Sequence, residues 1–336
     1  MPRPDGLLTE EEIERRRVAL TKQLRDSAVL RRYRRLGEGF KKRLAKKWGE
    51  PLKLYEIVLK GTLDGGREFA QGAQADQESD FTFQALVSLH AQACRVAGEV
   101  LELLKAGHAR GAHARCRTLH ELAVFAGVIA EHPEVAERFL LHDAIEDARS
   151  LDTYQTKLAG RPGYEPYSKE DVDFVHARRD EVLNRCGKSF GDGYYGWAAP
   201  LFPPKAHLTF EKLEDLARLG HLRPFYDWAT HLGVHASSRG VRLNLITQGD
   251  ITTPLAGATN IGLSDPGHEA LISLLQVTTS LMVHGKPITD DPTPVVVLKA
   301  LMTLTDEAGE AFVAVEERIA EEEAQVQDDA KRRLER

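Results

Sequence analysis

Two short segments carry polar side chains at four-residue spacing, whereas the other predicted helices use this spacing for apolar side chains. Residues four apart lie one above another on the same helix face, so each set forms a polar stripe. An Arg and a Glu beside two imidazoles would supply a phosphate-binding cation, a carboxylate and a general acid or base. The two stripes are His113, Arg117 and Glu121 in the first segment, and Asp227, His231 and His235 in the second.

The first stripe lies in a predicted helix over residues 111–132, opposite small and apolar side chains such as Cys116 and Leu119. By periodicity alone, Arg117 and Glu121 form an ordinary exposed ion pair, which contributes a few tenths of a kcal/mol. If this face instead meets the second stripe, the same pair becomes part of a site. The pattern leaves both interpretations open.

The second stripe lies in a predicted helix over residues 224–238. An Asp four residues before a His can bind one imidazole nitrogen and so fix which nitrogen is free. Two His residues at this spacing also suit a metal, but the segment lacks the HExxH glutamate and a clear third ligand. A structural His cluster is the alternative. We therefore predict no metal and no cofactor.

Helical periodicity dominates the elements that must position these residues, and no convincing strand alternation appears. The prediction is an all-α, multi-helix bundle with long charged N- and C-terminal helices. Residues 240–266 are irregular and compatible with a short hairpin, and the Gly-, Pro- and aromatic-rich residues 187–205 predict a self-packed loop. Helices are predicted at about 9–26, 27–47, 51 into the 60s, 80–107, 111–132, 133–158, 168–185, 209–220, 224–238, 267–284 and 293–333. Thr9 and Glu12 predict a capping box for the first helix, Gly49 and Pro51 a break after the second, and Asp80 a cap for the helix over 80–107. The helices over 80–107 and 111–132 are joined by a tight turn, so we expect them to pack as an antiparallel hairpin.

Pattern and charge divide the chain into three parts. Residues 1–50 are predicted as a basic helical arm, residues 51–310 as the helical core, and residues 311–336 as a charged C-terminal helix. The first part holds fifteen Lys and Arg against eight Asp and Glu, although the whole chain has a net charge of −6. A basic helix with interleaved aromatic residues can follow a phosphate backbone or pair with an acidic surface of the same chain. The candidate nucleic-acid-binding residues are Arg31, Arg32, Arg34, Arg35, Lys41, Lys42 and Arg43.

Composition sets the class of protein. The chain of 336 residues is 42% hydrophobic and 29% charged, which is typical of soluble globular proteins. It has no run of eighteen apolar residues and no apolar secretory leader, so we expect no membrane segment. Its three cysteines are widely spaced and lack a CxxC pattern, which favours a reducing compartment. A cytoplasmic location is the resulting prediction.

The chain also resembles a bacterial all-helical family of unknown function, over roughly residues 80–240. The resemblance rests on residues 117–121 (RTLHE), 194–198 (YYGWA) and 226–237 (YDWATHLGVHAS). That family carries Arg-Ser-x-x-Glu on one helix and Ser-x-x-x-His on a later one, and Arg117, Glu121 and His235 fit these positions. Thr118 and His231 stand where the family has Ser. The resemblance implies that the Arg–Glu face turns inward, and it links the chain remotely to HEPN-like proteins of phage defence.

Three functional hypotheses follow. In the first, an HEPN-like defence or toxin-type protein acts on RNA: Arg117 binds phosphate, His235 is the general acid or base, and Glu121 and His231 orient them. In the second, the protein is a non-enzymatic interaction protein that forms oligomers through its charged terminal helices, and the cluster is a structural network. The third and weaker hypothesis is a metal-dependent hydrolase using His231, His235 and a carboxylate from Glu121 or Asp227.

Overall fold

Five helices form the centre of the molecule. The computed structural model describes residues 8–72, 79–248, 251–285 and 291–334. Within these ranges it contains twelve α-helices and one short β-hairpin, so the predicted all-α class is confirmed. The helices are α1 (Glu10–Leu24), α2 (Ser27–Gly72), α3 (Phe81–Lys105), α4 (Ala109–Glu131), α5 (Ala136–Leu141), α6 (Asp143–Lys157), α7 (Lys169–Cys186), α8 (Phe210–Leu216), α9 (Arg223–Ala229), α10 (Ser238–Arg242), α11 (Ser264–Met282) and α12 (Thr293–Leu334).

Helix α11 lies at the heart of the core because it packs against α2, α3, α4 and α12. Apolar residues at three- and four-residue spacing occur around this helix and are almost completely buried, among them Leu271, Leu274 and Val277. A helix that is apolar on several faces is stable only inside a bundle. The polar stripe of α4 therefore borders a helix that offers it few polar partners.

The predicted hairpin of α3 and α4 is confirmed. The Asp80 side chain caps α3 by accepting a hydrogen bond from the Phe83 amide at 2.9 Å. Gly107 follows the C-terminus of α3 and has a φ of +77°, a conformation that strongly favours glycine. Only residues 106–108 separate the two helices, so α4 folds back along α3 and its position is fixed by the core.

One prediction about the N-terminal region is confirmed and another is wrong. Thr9 and Glu12 form the expected capping box at the start of α1. The predicted break near Gly49 and Pro51, however, does not occur, because α2 continues through Pro51 to Gly72. Proline removes one backbone hydrogen bond. Burial of the flanking Trp48 and Leu52 offsets that loss, since both side chains pack into the core.

The peripheral elements begin after α4. The single helix predicted from Pro133 to Leu158 is instead a 3₁₀ turn (Pro133–Val135) followed by α5 and α6. The chain turns at His142, which is buried with its ring 5.2 Å, centroid to centroid, from Phe190. The predicted loop 187–205 contains two 3₁₀ turns, Lys188–Gly191 and Gly196–Leu201, and buries Trp197. The two turns contact each other, as expected of a self-packed segment, and Phe190 and Trp197 also join the core.

The segment after α9 differs most from the prediction. A π-helical turn, Thr230–Val234, follows α9, and α10 comes next. Strands β1 (Leu245–Gln248) and β2 (Ile251–Pro254) then form an antiparallel pair in which Leu245 lies opposite Pro254. This agrees with the sequence of residues 240–266, which is compatible with a short hairpin. The described part of α12 completes the bundle by packing along α2 and α11.

The buried His90 of α3 predicts an acid-sensitive fold. Burial lowers the pKa of its imidazole from 6.5 to about 4, and the Cys94 sulfur lies 3.6 Å from Nε2. The unfolded chain therefore binds this proton more readily, so stability falls as the pH drops from 6.5 towards 4. We expect His90 to contribute up to about 3 kcal/mol of this loss. His90→Leu should flatten the dependence in urea unfolding measured across this range.

The exposed His207 provides the matched control. His207→Leu should retain the wild-type loss of stability between pH 6.5 and 4. Burial also lowers the pKa values of His142 and His268, so the His90 variant should keep a smaller slope of the same sign. An unchanged slope in His90→Leu would contradict the prediction.

Candidate functional site

Arg117 and Glu121 meet Tyr226, a residue of α9. The Arg117 guanidinium donates from Nη2 to the Tyr226 hydroxyl at 2.6 Å, and this hydroxyl donates to Glu121 Oε1 at 3.0 Å. Arg117 Nε also lies 3.3 Å from Glu121 Oε1. The Arg and Glu side chains are only 23% and 34% exposed. The pair is therefore a half-buried triad with tyrosine rather than a free surface ion pair.

The Tyr226 hydroxyl acts as a neutral donor in this triad. Burial, together with the negative charge of Glu121, raises the pKa of Tyr226 to about 12. The Arg117 guanidinium carbon lies 4.6 Å from the centroid of the Tyr226 ring, within the range of a cation–π interaction. The tyrosine thus contacts Arg117 through both its hydroxyl and its ring.

A second charged cluster adjoins the triad and is more deeply buried. Glu214 of α8 is 1% exposed, and its two oxygens bind different partners. Oε1 lies 2.8 Å from Nε2 of the buried His120, and Oε2 accepts a hydrogen bond from Arg223. The Arg223 guanidinium carbon lies 5.2 Å from the Tyr226 ring centroid, which joins the two clusters. We call these six residues the charged network: Arg117, His120, Glu121, Glu214, Arg223 and Tyr226.

Aromatic side chains surround the charged network on one side. The Phe210 ring centroid lies 4.9 Å from that of Tyr226 and 6.3 Å from that of Tyr195. Burial raises the pKa of Tyr195, and the charge of Glu121 adds to this effect. The Gly- and aromatic-rich segment therefore shields the network from water, which strengthens its internal hydrogen bonds.

The space beside Arg117 is very small. A cavity of about 20 Å³ lies between α4, α9 and α11, and its lining includes Arg117, Tyr226 and Glu269. This volume is enough for one water molecule and is far too small for a nucleotide. Arg117 Nε and Glu269 Oε1 are both buried without a hydrogen-bond partner. A water in this cavity is the natural partner for such groups.

The prediction that Asp227, His231 and His235 share one helix face is wrong. The α-helical segment ends at Ala229, and the following π turn holds five residues, so the four-residue repeat is lost. His235 follows this turn in an extended conformation (φ −101°, ψ 137°), and its side chain is exposed. His231 is half-buried, and its Nδ1 has no hydrogen-bond partner.

The structure does not join the two histidines to the triad. Across the described ranges, neither His231 nor His235 forms a hydrogen bond or ion pair with Arg117 or Glu121. The same residues also contain no group of three His, Cys, Asp or Glu side chains placed to hold a metal ion. The catalytic roles assigned to Arg117, Glu121, His231 and His235 remain predictions.

The seven predicted nucleic-acid-binding residues all lie on the exposed N-terminal part of α2. Every one of their side chains is exposed, and within the described chain none of them forms an ion pair with a carboxylate. Arg31 donates one hydrogen bond to the Ser27 hydroxyl at 2.8 Å. We call residues 27–43, which are part of the predicted N-terminal arm, the basic arm. Phe40 packs partly against the core and Leu44 is the first buried residue of α2, so the part of the arm before Phe40 projects from the core.

Sequence reasoning missed four members of the charged network: His120, Glu214, Arg223 and Tyr226. A partial signal existed, because Tyr226 belongs to one of the segments that carry the family resemblance. No sequence signal pointed to Glu214, because a glutamate beside Leu213 on a short amphipathic helix is usually exposed. Its burial depends on α4 and α9 coming together around it.

The fold and the charged network define an all-α protein with a partly buried polar cluster between α4, α8 and α9. The chain belongs to a family of unknown function (DUF5677), whose model matches residues 83–251. The match begins in α3 and contains the whole network, and it leaves out the basic arm, α11 and α12. No curated protein and no solved structure matched the chain. None of the described helices has both the length and the apolar character that a membrane span requires.

Proposed function

We propose that this protein binds RNA through the basic arm. The observation that carries the proposal is the set of seven exposed cations on the arm, none of which pairs with a carboxylate in the described structure. Unpaired cations along one helix favour binding to a polyanion, because each phosphate contact releases condensed counterions. We propose RNA as the polyanion because the sequence resemblance implies a remote link to HEPN-like defence proteins.

An exposed aromatic residue on the arm supports a nucleic acid over other polyanions. The Tyr33 side chain is 75% exposed and lies between Arg32 and Arg34. Aromatic rings exposed among cations stack on unpaired bases, and such stacking tolerates any sequence. Residues 31–43 span about 18 Å along the helix axis, enough to follow several phosphates of a single strand.

Neutralising the arm should weaken RNA binding at least about tenfold. The variant replaces Arg31, Arg32, Arg34 and Arg35 with Gln, and fluorescence anisotropy measures its Kd for a labelled single-stranded RNA. The plot of log K against log salt should also become less steep, since fewer counterions are released. A matched control replaces four other exposed cations with Gln and should bind as the wild type does: Lys157, Arg161, Lys169 and Lys205.

Equal loss of affinity in both quadruple variants would overturn the proposal, because it would show a general effect of net charge. Unchanged affinity in the arm variant would overturn it as well. A single-stranded DNA of the same sequence shows whether recognition depends on the ribose 2′-hydroxyl.

The geometry favours binding without cleavage as the role of this chain. Arg117 and Glu121 already bind Tyr226, and the adjoining cavity holds no more than a water. In the catalytic form of the proposal, Arg117 binds phosphate, Glu121 and His231 orient the groups, and His235 transfers the proton. RNA recovered from the binding assay and run on a denaturing gel separates the two forms. Cleavage that survives EDTA and is lost in Arg117→Ala and His235→Ala would establish the catalytic form.

A second candidate function is self-association through the N-terminal helices. Helix α1 and the start of α2 carry apolar side chains that are largely exposed, including Leu24, Val29, Leu30 and Leu36. The exposed end of α12 is acidic, and Lys47 of α2 pairs with its Glu322. A second copy could repeat this charge pairing with the basic arm. A fall in mass of the arm variant in sedimentation equilibrium, with RNA affinity unchanged, would favour this candidate.

A further inference from the structure

A cavity of about 430 Å³ lies away from the charged network, at the beginning of α4. Its volume is within the range of small-molecule binding sites. One wall is apolar and comes from the π turn, the hairpin and residue 261, with Leu232, Leu245, Leu255 and Ile261 among its members. None of the described residues that line the cavity is an Asp or a Glu. The cavity therefore combines an apolar wall with a lining in which the described residues carry no carboxylate, and the Glu269 carboxylate lies behind His113.

The N-terminus of α4 opens into this cavity without a cap. His108 occupies the N-cap position, and its side chain forms no capping hydrogen bond. The first backbone N–H groups of a helix have no partner within the helix, and the helix dipole makes this end positive. Gly107, Ala109 and Gly111 line the cavity beside these amides. An uncapped helix of 23 residues thus presents free donors to the space.

Two side chains add independent evidence for an anionic ligand. His113 lines the cavity, is 3% exposed and forms no hydrogen bond with any described residue. Its Nδ1 lies 3.8 Å from a carboxylate oxygen of Glu269, which is too long for a hydrogen bond. His113 therefore has a charged neighbour but no hydrogen bond at Nδ1, and a buried imidazole without hydrogen bonds carries a desolvation cost that a ligand bound beside it would reduce.

Arg110 is the second of these side chains. Its Nη1 donates to the Gly240 carbonyl at 3.1 Å, and it pairs with no described carboxylate. The guanidinium has five N–H donors, so it retains donors for an oxyanion. Its hydrogen bond to Gly240 holds the group at the cavity wall.

We propose that this cavity binds a small organic anion. The phosphate or carboxylate head lies at the N-terminus of α4, between the free amides, Arg110 and His113. The apolar body of the ligand packs against the leucine side chains of the opposite wall. None of the seven cations proposed to bind RNA lines this cavity, so its occupancy and RNA binding can be tested independently.

Isothermal titration calorimetry with matched probes tests the proposal. Phenyl phosphate and phenylacetate carry an apolar ring with either head group, inorganic phosphate carries the head alone, and benzyl alcohol is a neutral control. We expect saturable binding of at least one ring-bearing anion and weaker or no binding of the other two probes. The tighter of the two ring-bearing anions identifies the head group.

Two variants assign that binding to the cavity. Arg110→Gln should weaken binding at least about tenfold, since it removes a charged donor. His108→Asp places a carboxylate at the N-cap, where aspartate is favoured, so it should maintain or raise the thermal midpoint while weakening anion binding. This second variant separates loss of the site from loss of the fold. The exposed Arg161 supplies the control Arg161→Gln, which should bind as the wild type does.

The proposal fails if no ring-bearing anion binds saturably at millimolar concentration. It also fails if both Arg110→Gln and His108→Asp bind as tightly as the wild type.

Discussion

Glu214→Ala should destabilise the fold by about 3–5 kcal/mol, measured as the free energy of unfolding in urea. The carboxylate of Glu214 is 1% exposed and accepts hydrogen bonds from two groups, His120 Nε2 and the Arg223 guanidinium. Removing one member of a buried charged cluster leaves the others desolvated and unpaired, which costs more than the lost bonds themselves. The effect should exceed that of deleting any single surface ion pair of this chain.

The same helix offers a matched control for this prediction. Glu211 lies three residues earlier on α8 and is exposed, so Glu211→Ala should change stability by about 0.5 kcal/mol or less. Glu214→Gln is the conservative test, because the amide keeps the shape and one acceptor while losing the charge. Its stability should lie between those of the wild type and Glu214→Ala. Equal stability of the two Ala variants would refute the assignment of Glu214 as a buried anchor.

Gly233→Ala should destabilise the protein by about 1–3 kcal/mol, as overpacking does in closely packed regions. Gly233 belongs to the π turn, and its backbone lies against the first turns of α4. A Cβ at this position would come 2.5 Å from the Arg110 carbonyl oxygen and 2.8 Å from the Ala114 amide nitrogen. Backbone atoms of a buried helix cannot move aside as a flexible side chain can. The π turn must therefore lift away from α4.

A second glycine provides the opposite expectation. Gly49 lies inside α2, and a Cβ there would meet nothing within 4 Å. Gly49→Ala should therefore stabilise the helix by about 0.5–1 kcal/mol, because alanine loses less backbone entropy.

Gly233→Ala should also weaken anion binding in the cavity, since Leu232 would move with the turn. Urea unfolding of the two variants measures the contrast, and a stabilised Gly233→Ala would contradict the close approach.

The sequence predicted elements whose signals are local. The capping box at Thr9, the Asp80 cap and the apolar periodicity of α3 depend on residues within one or two turns of each other, and each element formed as expected. Pro51 misled the prediction because its local effect is to break a helix. Burial of the neighbouring Trp48 depends on contacts with Phe312, more than 250 positions away, which no local pattern contains.

In the candidate site, too, local spacing predicts some contacts, whereas others depend on helices that are distant in the sequence. The spacing of Arg117 and Glu121 correctly placed the two side chains together on α4, and their mutual contact is present at 3.3 Å. Tyr226 could not be assigned as their partner, because the contact requires α9 to pack across α4. The His231–His235 spacing predicted a regular helix, but the close approach at Gly233 accompanies a π turn that changes the repeat.

The continuity of α2 has a mechanical consequence. A single helix of 46 residues carries both the exposed cations and the side chains that pack in the core, so arm and core share one rigid axis. From Leu44 to Ser27 this axis extends about 25 Å beyond the first buried residue. A force on a ligand bound at the tip of the arm is therefore transmitted along α2 to the helices that pack against it, α3, α11 and α12.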